Sequence, residues 1–307
     1  MGGGFYSVTN SCLRAEAYAK SYASDATYMD TQVFKERSLN ESMDIKGKVR
    51  ESRDSTEHPT SYPIIIGLDV TGSMGTIPKN LIQNGLPKMM EKIMNEGIEH
   101  AQLCFMGLGD EECDSAPLQV GQFETSDELC EKWLTSIYLE GGGGGNNGES
   151  YSLAWLAASR NMSTDAFEKR GIKGILITIG DEENLKVMHQ NHLKEFFGDV
   201  QADITDTDLL EEVREKWNVF HINVRDWSGS RKQVRDYWKQ LLGDNYVETQ
   251  SHNGDDIPNL IAGIVIKCYK ESQKSLLNES GETTTDTTKK TKTADELLEE
   301  IENATKN

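Results

Sequence analysis

The densest chemistry in this 307-residue chain lies in three short stretches rich in hard oxygen donors. The first, "IIIGLDVTGSMG", ends an apolar run in Asp69 and then sets hydroxyls at Thr71 and Ser73. The second, "EGGGGGNNGES", brings Asn147, Glu149 and Ser150 behind a run of glycines. The third, "TIGDEEN", closes another apolar run with Asp181. A tight turn after Asp69 can aim positions 69, 71 and 73 to one side, and Gly72 relieves the crowding there. The glycine run lets backbone pass close to an ion. No His or Cys joins these groups in sequence. A small set of carboxylates and hydroxyls suits Mg²⁺ or Mn²⁺, with water completing an octahedron.

The surrounding pattern predicts what must hold these loops. "IIIGLD", "AQLCFMGLG", "GIKGILITIG" and "WNVFHINV" are apolar without alternation, the mark of strands covered on both faces. "LQVGQF" and "NYVETQ" are shorter and read as edge strands. Helical spacing fills the gaps, with Pro87 set to kink or split the helix after the first strand. Alternation of this kind predicts an α/β fold, Rossmann-like, with a mostly parallel central sheet and helices on both faces. Ligands of such sheets sit beyond the carboxyl ends of the strands. Residues 1–60 read as an N-terminal arm packing on the main domain, with a small helix over Arg14–Ala26. Residues 61–274 form the domain. Residues 275–307 read as a Thr-rich tether followed by a short amphipathic helix in "TADELLEEIENA", where Leu297, Leu298 and Ile301 share one stripe.

"DVTGSM" resembles the DxSxS element of von Willebrand factor A (vWA) domains, with Thr71 in the place of the first Ser. In that family the element opens the metal-ion-dependent adhesion site, MIDAS, on a Rossmann-like sheet with one antiparallel edge strand. A second loop adds a Thr or a Glu, and a later strand end adds an Asp. The resemblance spans roughly residues 62–272 and implies Mg²⁺ or Mn²⁺ held by Asp69, Thr71, Ser73, Glu149 and Asp181. The second loop departs from the usual Thr and is similar to the integrin β-subunit version, so either Glu149 or the accessory Asn147 is its ligand. Asp110, in "GDEECD", is an adjacent candidate, set against an ordinary solvated loop. The resemblance further implies non-catalytic protein binding, with an acidic side chain of the partner completing the ion's shell. The chain is similar to a group of bacterial and phage vWA proteins. Some prokaryotic vWA proteins work with MoxR-type AAA ATPases, which makes such an ATPase a candidate partner.

A rival reading stays open at this point. "DVTGS" also resembles the DKTGT-type motif of haloacid-dehalogenase-like phosphotransferases, in which the Asp is a nucleophile and Lys169 or Lys173 would serve the phosphate. Composition narrows the remainder. With 51 acidic against 32 basic residues and no long basic cluster, nucleic acid is not an expected partner. Five scattered cysteines without a CxxC pair, and an N-terminus without an apolar segment, point to a reduced cytoplasmic setting. No apolar run approaches the roughly 20 residues that span a bilayer. His189 and His192 read as a solvated helix face, His221 as a packed core residue, and Asp203, Asp206 and Asp208 as a helix N-cap.

Overall fold

In the computed structural model, residues 3–74, 76–141, 148–198, 200–225, 231–250, 252 and 254–279 are described. The chain begins with α1 (Val8–Ser24) and β1 (Arg50–Ser52), then β2 (Tyr62–Asp69), α2 (Ile77–Asn80), α3 (Leu86–Asn95), β3 (Ala101–Leu108) and β4 (Leu118–Val120). It continues through α4 (Asp127–Thr135), α5 (Ser152–Arg160), β5 (Met162–Thr164), α6 (Asp165–Arg170) and β6 (Gly174–Gly180). The last part holds β7 (Val187–Met188), α7 (Gln190–Phe197), β8 (Ile204–Thr205), α8 (Asp206–Arg214), β9 (Trp217–Asn223), α9 (Lys232–Leu242), β10 (Tyr246–Glu248) and α10 (Ile257–Glu279).

The strand "YPIIIGLD" is buried at every position because it is paired on both edges and covered on both faces. Its β-branched residues suit such a site. Alternate side chains enter different cores, as the two-residue period of a strand requires. Ile64, Ile66 and Leu68 pack with Leu86, Met89 and Ile93 of α3 and with Ile261 and Val265 of α10. Ile65 packs with Trp155 of α5, Leu209 of α8 and Trp238 of α9.

The sheet order is β10-β9-β6-β2-β3-β4. All neighbours are parallel except β4, which runs antiparallel to β3. The mixed α/β class read from the sequence is therefore the observed one, antiparallel edge included. Growth of the sheet runs from β2 outward through β3 to β4, then returns to the other side of β2 with β6. Loops after β2 and β6 therefore part from one another, which opens a crevice at the carboxyl edge. Register brings the ends level: Asp69 lies opposite Leu108, and Leu68 opposite Ile179.

The helix around Pro87 is split, as the sequence allows, rather than continuous. A π-helical turn, Leu81–Gly85, separates α2 from α3, and Pro87 sits in the first turn of α3. There its missing N–H costs nothing. Gly85 is needed at that turn because a Cβ would stand 2.8 Å from Pro258 of α10.

The first helix starts six residues earlier than the sequence predicts, capped by Ser7, whose hydroxyl accepts from the Asn10 N–H at 3.2 Å. Residues before β2 supply core side chains, among them Met29, Phe34, Met43 and Ile45. They also close the outer edge of β4. The Val120 N–H donates to the Met43 carbonyl at 2.8 Å, and Arg50 donates to the Val120 carbonyl at 2.7 Å. Arg14 of α1 forks onto α4, with Nε 2.7 Å from Glu131 Oε2 and Nη2 on Asp127. At the other end, α10 runs on to Glu279, into the stretch read from sequence as tether. Leu297, Leu298 and Ile301 lie outside the described residues.

Asp127 and Glu131 are both buried, and Arg14 is the counter-charge paired with each of them. Arg14→Ala should cost about 2–3 kcal/mol, at the lower end for a buried pair because the guanidinium is partly open to water. Urea unfolding at pH 7 measures this. An unchanged midpoint would show that α1 is not held by these charges.

Candidate functional site

The site is built on Asp69, the last residue of β2 and 1% exposed. Its Oδ1 accepts from the Thr71 N–H at 2.9 Å and from the Thr71 hydroxyl at 2.6 Å. That closes the turn which the 69-71 spacing predicts. Oδ2 accepts from the hydroxyl of Tyr151 at 2.7 Å. Ser73 stands in the following 3-10 turn, Gly72–Met74. Its side chain lies outside the described residues, as do residues 142–147 and with them Asn147.

Glu149 comes to the same edge because the second loop pairs with the third. The Glu149 N–H donates to the Glu183 carbonyl at 2.9 Å, and the Leu185 N–H donates to the Glu149 carbonyl at 3.0 Å. This makes a one-residue parallel bridge between Glu149 and Asn184. Gly148 permits the approach, since a Cβ there would lie 3.0 Å from Leu185 and 3.2 Å from the Glu183 carbonyl. Asn184 then caps α5, accepting from the Ser152 N–H at 2.8 Å. The Glu149 carboxylate is buried, and its Oε2 has no hydrogen-bond partner.

Asp181 follows β6 directly and is partly exposed. Arg231 leans over this loop, donating to the Asp181 carbonyl at 3.3 Å and pairing with Glu182. Asp69, Thr71, Glu149 and Asp181 thus share the carboxyl edge of β2 and β6.

Asp110 corrects the reading of "GDEECD" as a solvated loop. It is fully buried. Its N–H donates to Asp114 Oδ2 at 2.8 Å, its Oδ1 accepts from the Glu112 N–H at 2.9 Å, and its Oδ2 has no partner. The turn folds back because Gly109 lacks a Cβ, which would meet Asp114 Oδ2 at 2.4 Å.

Like charges packed this closely resist ionisation. Burial, and then the charges of Asp69, Asp114, Asp110 and Asp181, push the Glu149 carboxyl up to about 9. Burial also pushes Asp69 up, to about 7, with Asp181 adding to it against the hydrogen bonds from Thr71 and Tyr151. The orphaned Oε2 of Glu149, the Thr71 hydroxyl and these strained carboxylates form a hard-oxygen donor set that fits a small divalent cation. Among the described residues no three His, Cys, Asp or Glu side chains already converge as a metal cage. A cation at this edge would therefore depend on hydroxyls as well as carboxylates.

Other sequence candidates fall elsewhere. His192 is not on a purely solvated face: its Nδ1 lies 3.7 Å from the buried carboxylate of Glu111. His189 precedes α7 and sits 3.2 Å from Asp203, whose Oδ1 accepts from the Gln190 N–H at 2.8 Å and caps the helix. Thr205 caps α8, and Asp206 and Asp208 occupy its first turn. His221 is a core residue as read, stacked 3.7 Å from Trp238, and burial holds it neutral. Lys169 and Lys173 precede β6, at the opposite end of the strand from Asp181. Two contributors went unseen in the sequence, Tyr151 and Asn184. Both act by contacts across more than 30 positions, for which no local pattern exists.

No protein-family model and no curated protein matches the chain. Among solved structures, the pilus adhesin SpaC from Lactobacillus rhamnosus GG aligns at 13% identity and TM-score 0.44, over 72% of this chain and 31% of the adhesin. An aerotolerance-related membrane protein from Bacteroides fragilis aligns at 11% and 0.42, over 67% of this chain and all of that one. Proximal thread matrix protein 1 from the mussel byssus aligns at 12% and 0.40, over 68% and 48%. The chain thus spans under a third of the adhesin it matches. Likenesses this distant add nothing to what the sheet order establishes. No described helix is long and apolar enough to cross a membrane.

The raised carboxyls make a signed prediction. A carboxyl held above its unfolded value gives the fold stability that is fully present below about 4.5. That stability is lost as pH rises toward about 9. In chelator, Glu149→Gln should therefore be more stable than wild type by on the order of 2 kcal/mol near pH 8, with the gap closing toward pH 5. Thermal unfolding across that pH range reads it. A gap independent of pH would contradict a Glu149 carboxyl raised by burial and its acidic neighbours.

Proposed function

We propose that the chain is a vWA-like, non-catalytic binding domain that holds Mg²⁺ or Mn²⁺ through Asp69, Thr71, Ser73, Glu149 and Asp181 and uses the site to engage a protein partner. The observation that carries this reading is the crowding of buried Asp69 and Glu149 at the switch point of the sheet, with an orphaned Glu149 oxygen. A divalent cation would relieve that repulsion and satisfy the orphan. When bound, the ion would supply an electropositive point able to accept an acidic side chain from the partner. Glu149 in place of a Thr blunts that pull, so the partner must also make contacts outside the metal. A MoxR-type AAA ATPase is the partner class we favour, in a bacterial or phage assembly or defence setting.

The phosphotransferase alternative loses its cation. Lys173 directly precedes the seven-residue β6, about 20 Å from its carboxyl end at 3.3 Å per residue, and Lys169 lies back in α6, paired with Asp165. Lys173 donates to the Arg214 carbonyl at 2.7 Å. Asp69 Oδ2, meanwhile, is already engaged by Tyr151.

Calorimetry with Mn²⁺ and Mg²⁺ separates the readings. Wild type should bind one ion, and Asp69→Ala should lose it while keeping its circular dichroism and cooperative unfolding. Unchanged binding in Asp69→Ala would remove the site from consideration. A covalent phosphate on Asp69 after incubation with acetyl phosphate would favour the phosphotransferase instead. Partner capture that survives EDTA would separate protein binding from the metal.

A further inference from the structure

The hydroxyl of Tyr151 reaches Asp69 Oδ2 at 2.7 Å and also accepts from the Glu182 N–H at 3.4 Å. Tyr151 is fully buried. Its ring stands edge-on to His221, with centroids 5.0 Å apart, and to Trp238, at 5.7 Å. Trp238 in turn donates its indole N–H to the Glu182 carbonyl at 2.9 Å. One side chain therefore joins the carboxylate ending β2, the loop after β6 and, through Trp238, helix α9.

The path to Asp69 exists only because residue 180 is glycine. A Cβ on Gly180 would stand 1.9 Å from the Tyr151 hydroxyl oxygen and 2.4 Å from the ring carbon that bears it. Side-chain carbons do not approach other atoms so closely, so any other residue at 180 displaces the tyrosine. The ring cannot retreat easily, because His221 and Trp238 hold it from behind.

Thr71 holds Asp69 by Oδ1 and Tyr151 holds it by Oδ2. We propose that Tyr151 is a positioning residue for the cation site, fixing Asp69 from the Oδ2 side so that the carboxylate meets the ion in one orientation. The proposal rests on the metal-binding reading above. Partners that orient a ligating carboxylate change metal affinity by about 10–100-fold when lost. Tyrosine serves here for its hydroxyl. For filling space alone, phenylalanine would do as well.

The test compares wild type, Tyr151→Phe and Gly180→Ala in three measurements. These are Mn²⁺ calorimetry, the electron paramagnetic resonance line shape of bound Mn²⁺ at saturation, and melting of the metal-free protein. Tyr151→Phe should bind Mn²⁺ about 10-fold or more weakly and alter the line shape, while its metal-free melting temperature stays close to wild type. Gly180→Ala should alter the line shape in the same way. Wild-type affinity and line shape in Tyr151→Phe would overturn the positioning role. A wild-type protein that binds no Mn²⁺ would overturn the metal reading itself, and that arm needs no variant. If Tyr151→Phe does not fold, Mg²⁺ titration of wild type decides by near-ultraviolet difference absorption. A perturbed buried tyrosine is expected, and a flat difference spectrum would overturn the proposal.

Discussion

The structure turns on one constraint: β2 is paired along both edges, by β3 on one side and by the later strand β6 on the other. The connections leaving β2 and β6 run to opposite sides of the sheet, so the carboxyl end of β2 borders the crevice between them. Asp69 occupies that end. A carboxylate with both neighbours paired and both faces packed has little water, and its remaining interactions must come from loops. Thr71 and Tyr151 supply them from opposite sides.

The same constraint explains why acids accumulate nearby at an energetic cost. The loops that can reach the end of β2 are those following β3 and β6 and the one preceding α5. Each brings at least one carboxylate, in Asp110, Asp181 and Glu149. Their backbones are tied to one another by the bridge between Glu149 and Asn184 and by the Ser150 N–H donating to the Gly109 carbonyl at 3.3 Å. Backbone pairing thus holds together side chains that would repel each other apart. Such sites are favoured at function rather than at stability.

The fold was legible where burial is a property of a run of residues. "IIIGLD" and "GILITIG" announce central strands because nothing polar interrupts them, and "LQVGQF" announces an edge by its brevity and alternation. The turn after Asp69 was legible for a different reason: Thr71 two positions on can close it onto the carboxylate, so spacing alone implies that geometry. What the sequence hid is set by long-range contact. "GDEECD" has the composition of a solvated loop, yet Asp110 is buried because Gly109 lets the turn fold inward. Tyr151 carries no local signal, and only the folded sheet reveals that its hydroxyl meets Asp69. His192 likewise looks like surface until α7 is seen against Glu111.

The treatment of the sheet's margins sets how anything else can dock. β4 and β10 are three residues long, and the outward N–H and carbonyl of Val120 are taken by Met43 and Arg50 of the chain's own first sixty residues. A short, occupied border offers little template for a visiting strand. Recognition by strand addition, which reads a peptide through its main chain and tolerates many sequences, is thus denied along the β4 border. Along that border the main chain stays out of reach, so side chains make the surface there and a single substituted residue changes it.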